Sequence, residues 1–87
     1  MEKPCNVGLL QHYVAAKAAK RNDGVTAEEL LNEYTFKPIN STLFSIETDN
    51  GIFPYLFKVS KKLARYLPDK ESYSWQDIKN AYTFSRD

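Results

Sequence analysis

The chain has 87 residues, 43% hydrophobic and 26% charged, with 12 basic and 11 acidic side chains and a formal net charge of +1. That length holds one domain with one core, expected over 1–87; the composition excludes a disordered chain, and the near-neutral charge leaves any electrostatic steering to segregated patches. One cysteine excludes an internal disulfide, and no apolar run nears the ~20 residues that span a bilayer.

The opening MEKPCNVGLL lacks the apolar core of a signal peptide, so a soluble, intracellular and cytoplasmic protein is expected. From Asn6 to Asn22 the sequence predicts a helix. Asn6 caps it, Val7, Leu10, Tyr13 and Val14 share a face, and Asn22-Asp23-Gly24 ends it, with Gly24 free to take positive φ. A second helix starts at Thr26, where Glu29 completes a capping box and Val25 and Leu30 form a hydrophobic staple. Ala27, Leu30, Leu31 and Tyr34 supply its inward face, and it ends before Pro38.

Residues 39–53 admit two readings. In one, Asn40 caps a short helix over STLFSIE that carries Leu43 and Ile46 inward. In the other, Phe44, Ile46 and Thr48 alternate with Ser45 and Glu47 as a strand, and Asp49-Asn50-Gly51 makes a hairpin turn. Pro54 would interrupt a return strand and suits the first turn of a helix, which favours helix followed by turn. PYLFKVSKKLARYL, from Pro54 to Leu67, then reads as one amphipathic helix with Leu56, Val59, Leu63, Tyr66 and Leu67 along its apolar stripe. Ser74 caps a final helix, with Asp77 in its first turn and Trp75, Ile78, Ala81 and Tyr82 inward. The expected fold is mainly α, four to five short helices in one domain with room for one small β-hairpin near 43–57. The alternative is a winged-helix-like α+β arrangement.

Nothing in the sequence assembles a catalytic, metal or cofactor site. One cysteine and one histidine give no zinc spacing, and Cys5 lies about 10 Å along a helix from His12, too far for a nucleophilic pair. His12 falls on the polar side of its helix. The three glycines, Gly8, Gly24 and Gly51, form no phosphate loop. Glu28 and Glu29 are explained by the helix start and its capping box, and Glu33 by solvation.

Charge is segregated instead. Between Gly51 and Pro68 lie Lys58, Lys61, Lys62 and Arg65 with no acidic residue; on a continuous helix they would form a strip opposite the apolar stripe. Lys17, Lys20 and Arg21 form a second cluster at the end of the first helix, where basic residues also suit the dipole. Acidic residues gather on the second helix and at Glu47 and Asp49. The six tyrosines exceed what a small core hides with every hydroxyl paired, which places some at the surface.

GVTAEELLNEY, residues 24–34, looks like the positioning helix of the broad helix-turn-helix and winged-helix superfamily, and INSTLFSIETDNGIF, 39–53, falls where its recognition helix would. That resemblance implies a nucleic-acid-binding regulator in which Asn40, Ser41, Thr42 and Ser45 touch bases. The segment has no Lys or Arg, so phosphate contacts would pass to the neighbouring basic residues. The expectation placed first is a non-enzymatic protein-interaction module, an adaptor or inhibitor docking on another protein such as a nucleic-acid-processing complex. It would use the basic residues and exposed tyrosines. A nucleic-acid partner is the alternative, no membrane is expected, and the oligomeric state stays open.

Overall fold

The computed structural model describes residues 4–85. Along the chain run β1 (Pro4–Cys5), α1 (Val7–Arg21), α2 (Ala27–Asn32), β2 (Thr35–Pro38), β3 (Leu43–Thr48), β4 (Gly51–Ile52), β5 (Leu56–Lys58), α3 (Lys61–Ala64) and α4 (Trp75–Ser85). The fold is α+β, with 44% of the described residues helical and 22% in strands, and a five-stranded mixed sheet; this overturns the expectation of a mainly α domain with one small hairpin.

The helix starts follow their caps. Asn6 accepts the Leu9 N–H at 2.8 Å and begins α1. Asn22, at φ 56°, ends α1 in the left-handed region, two residues before Gly24. Thr26 and Glu29 form both halves of the capping box, Glu29 N–H to Thr26 Oγ1 and Thr26 N–H to Glu29 Oε1. Ser74 and Asp77 repeat the device at α4: Ser74 N–H donates to Asp77 Oδ2 at 3.1 Å and Asp77 N–H to Ser74 Oγ at 3.3 Å.

The corrections lie between these helices. α2 stops at Asn32, and Thr35–Pro38 continues as β2, so Tyr34 is buried from the connection and not from a helix face. The predicted helix over 40–47 is strand β3. Asn40 caps nothing; its Oδ1 accepts the Thr42 N–H at 2.9 Å in the loop joining β2 to β3, which Ile39 N–H closes on Leu43 O at 2.7 Å. Phe44 and Ile46 are buried while Leu43, Ser45 and Glu47 are half-exposed, the period of two that a half-buried strand requires. Thr48 and Gly51 face each other across a two-residue turn, where Gly51 takes φ 109° and Thr48 Oγ1 donates to Gly51 O at 2.8 Å.

The predicted helix from Pro54 to Leu67 breaks in the same way. Phe53 N–H bonds Ile46 O, Pro54 interrupts the return strand, and β5 resumes pairing with β3 through Leu43↔Lys58 and Phe44↔Phe57. Phe53, Phe57 and Val59 are buried and Tyr55 half-buried, again every second residue. Helix begins only at Ser60, whose Oγ accepts the Leu63 N–H at 3.0 Å, and α3 lasts four residues.

Strands run in the order β1-β5-β3-β2, with β4 beside the end of β3; β1 lies parallel to β5 and the other pairs are antiparallel. One sheet face carries Phe36, Phe44, Ile46 and Phe57 into a core completed by Val7, Leu10 and Val14 of α1, Leu30 and Leu31 of α2, Leu63 of α3, and Trp75, Ile78 and Ala81 of α4. Phe57 lies at its middle, edge-on to Phe36 at 5.3 Å between centroids and 6.1 Å from Phe44. The opposite face carries Thr35, Lys37, Leu43, Ser45 and Glu47 with a Lys37–Glu47 ion pair at 3.1 Å. At the β2 edge, Phe36 exchanges two backbone hydrogen bonds with Tyr73 and Pro38 offers no N–H, so little of that edge is open to another strand.

Two outcomes test this architecture. Phe57→Ala removes the shared ring of the Phe36–Phe44 cluster and should cost about 3–5 kcal/mol in urea unfolding, while Phe84→Ala, at an exposed site, should cost within about 0.5 kcal/mol. Asp77 is the second. Partial burial opposes its charge, but the Lys70 ammonium at 2.9 Å and the Ser74 donors outweigh that and hold its carboxyl below the ordinary carboxylate range. A depressed folded value stabilises the protein above the unfolded pKa of about 3.9, and the contribution is lost as pH falls through the folded value. The stability gap between wild type and Asp77→Asn should therefore be constant from pH 5 to 7 and shrink between pH 4 and 2.

Candidate functional site

The helical strip of four cations does not exist as such. Lys58 ends strand β5, Lys61 and Lys62 occupy the first turn of α3, and Arg65 is its C-cap. The β5–α3 corner nevertheless keeps them within eight positions, all exposed. Among the described residues, Lys58, Lys61 and Arg65 form no ion pair.

Aromatic surface joins them. Tyr66 follows Arg65 and is 49% exposed; its ring stacks on Phe84 of α4, 67% exposed, with centroids 6.2 Å apart and planes 26° from parallel. Tyr82, expected to face inward, is 38% exposed. Solvent-facing aromatic rings and arginine are residue types enriched at protein contact surfaces, whereas lysine is depleted there.

Next to them is a recess of about 380 Å³ where β5 turns into α3 over the first turn of α1, lined by Val7, Gly8, Lys58, Val59, Leu63 and Tyr82 among others. A second hollow, about 340 Å³, adjoins it through Asn6, Lys58, Val59 and Ser60 and reaches Leu9, which is 44% exposed. The first turn of α1 carries no acidic residue, so its positive dipole end adds to the Lys58 charge.

Lys17, Lys20 and Arg21 lie at the far end of α1, whose 15 residues span about 22 Å. The fold thus separates the two basic clusters. Surroundings differ too. Lys17 sits over the Phe53 ring at 5.3 Å, and Arg21 pairs with Asp23 at 2.9 Å. Glu33, Tyr34 and Asp49 share a recess of about 240 Å³ with these cations. Burial, with Glu33 and Asp49 nearby, pushes the Tyr34 phenol up against the opposing influence of Arg21. This end is mixed in sign.

Asn40, Ser41 and Thr42 lie in the β2–β3 loop, and Ser45 lies on β3. No helix presents them to a groove, so the recognition-helix arrangement is absent from this segment. His12 is exposed on α1, as its polar-side position implies. Among the described residues no group of three or more His, Cys, Asp or Glu is placed to hold a metal ion, and no helix is long and apolar enough to cross a membrane.

Phe84 and Leu9 had no assigned place in the sequence pattern, and Gly8 figured there only as one of three glycines that form no phosphate loop. Phe84 comes six residues after the buried Ile78, about 240° round the helix, so a large apolar ring stands on the polar side. Comparison with known protein families, characterised proteins and solved structures finds no match to this chain.

Cys5 is buried beside this surface in β1, 2% exposed, and burial pushes its thiol up, against a smaller backbone hydrogen bond. It should therefore be protonated at neutral pH and react with a disulfide reagent at least about 100-fold more slowly in the native protein than in guanidinium. Native reactivity equal to that of free cysteine would show β1 detached from β5.

Proposed function

We propose that this chain is a non-enzymatic binding protein that acts by protein–protein contact, as an adaptor or an inhibitor, through the surface formed by the β5–α3 corner and the end of α4. The observation that carries this is the juxtaposition of Lys58, Lys61, Lys62 and Arg65 with the exposed rings of Tyr66, Tyr82 and Phe84. Four cations in a segment with no acidic residue select an acidic partner and speed its encounter, and the rings supply area that excludes water. A larger macromolecular machine with an acidic docking face is the partner class that this surface suits.

The reading against nucleic acid rests on the same surface. A groove tracking a phosphate backbone needs cations along its length, and here the second basic cluster lies at the far end of α1 among Glu33, Asp49 and Asp23. The experiment compares wild type with the triple variant Lys58→Glu/Lys61→Glu/Arg65→Glu. All three residues are exposed, so the variant should unfold within about 1 kcal/mol of wild type. Proteins retained from cell extract by wild type should be lost by the variant and released as salt rises. Gel shifts with DNA and RNA at two salt concentrations should show no complex. Unchanged retention by the variant, or a salt-sensitive nucleic-acid complex that it abolishes, would overturn the proposal.

A further inference from the structure

Gly8 stands in the first turn of a 15-residue helix, where most residues would serve the helix better. Its backbone does not require glycine: positive φ among the glycines is confined to Gly24 and Gly51. Packing does not require it either. A Cβ built at Gly8 would meet Asn6 Oδ1 at 3.5 Å, an ordinary contact, and nothing else within 4 Å. What the missing side chain leaves is open space in the lining of the recess of about 380 Å³ between α1 and the β5–α3 corner.

The walls of that space have a definite chemistry. The Tyr82 ring and the exposed edges of Val7, Val59 and Leu63 offer apolar surface beside the polar Asn6, Ser60 and Ser85, and Leu9 extends it into the adjoining hollow. Lys58 borders both hollows, Lys61 follows one residue after the lining Ser60, and the α1 dipole is positive at this end. Partly apolar walls beside Lys58, with Lys61 close by, disfavour a free cation and a basic peptide. They are complementary to an apolar side chain flanked by carboxylates.

We infer that the recess over Gly8 receives an aliphatic or aromatic side chain carried on an acidic segment of the partner protein. The inference rests on the protein-contact reading above and specifies its anchor. The buried side chain supplies affinity through desolvation, and the flanking carboxylates set orientation on Lys58 and Lys61. Gly8 permits the close approach.

The test uses two fluorescent synthetic peptides of fourteen residues, rich in Asp and Glu, one with a central Phe and the other with Ser in its place. Their binding to the full chain is followed by anisotropy. Wild type should bind the Phe peptide at least tenfold tighter than the Ser peptide. Gly8→Leu, which projects a side chain into the recess, should abolish that difference while melting no lower than wild type; Gly8→Ala should retain part of it and also melt no lower. Lys58→Glu/Lys61→Glu/Arg65→Glu should weaken both peptides. Equal binding of the two peptides by wild type, or an advantage for Phe that persists in Gly8→Leu, would overturn the recess as anchor while charge-dependent binding kept the surface reading intact. Absence of binding by either peptide would overturn the anchor as well. Displacement of both peptides by oligothymidylate of equal charge, at lower concentration than unlabelled Phe peptide, would overturn both in favour of single-stranded nucleic acid. Should Gly8→Leu fail to fold, the two-peptide comparison on wild type and on Gly8→Ala decides the matter.

Discussion

The pairing of Phe44 on β3 with Phe57 on β5 is the constraint from which the rest of the molecule follows. It sets the register of the return strand, and that register sends Phe57 into the core against Phe36 and leaves Lys58 at the strand end. Because β1 adds to the outer side of β5, the same register fixes where α1 begins. Val59 then extends the pairing by donating to Thr42 O at 2.9 Å, and Ser60 turns the chain into α3. The recess, the four cations and the start of α1 are thus positioned by one antiparallel pair.

What could be read from the chain alone divides by the range of the interactions involved. The helices that begin at Asn6, Thr26 and Ser74 were legible because each start is a contact between residues three apart. The sheet was legible only as one of two readings of 39–53, because short-range pattern there fits strand and helix alike, and the pairing of β1 with β5 joins residues far apart in the chain. Local periodicity also misled. Leu56, Val59, Leu63 and Leu67 satisfy a helical stripe, yet Phe53, Tyr55, Phe57 and Val59 satisfy a strand equally well, and Phe57 had no place on the stripe. Its aromatic, β-favouring neighbours were the signal that could have decided the matter. Pro54 was read as a helix start, whereas it interrupts a strand at the place where pairing passes from β4 to β5.

The candidate surface was legible by half. The basic residues were found from composition, but their placement on one helical face depended on a helix that the fold does not contain. The aromatic half is visible only when α3 and α4 meet and Tyr66 stacks on Phe84. Gly8 carried a signal of another kind, a residue that costs its helix stability and is called for neither by conformation nor by crowding. Such a signal needs coordinates, since in the sequence Gly8 is one of three glycines with the same identity.

The parallel bridge between Pro4 and Leu56 also governs the order of assembly during synthesis. A ribosome releases β1, α1 and α2 long before residue 57 emerges, and the faces of Leu10, Val14 and Leu31 have no sheet to rest on during that interval. Closing so long a stretch of chain carries an entropic cost that local helix formation does not recover. The apolar faces of the first two helices therefore gain their full cover only when a strand about fifty residues further along the chain pairs with β1.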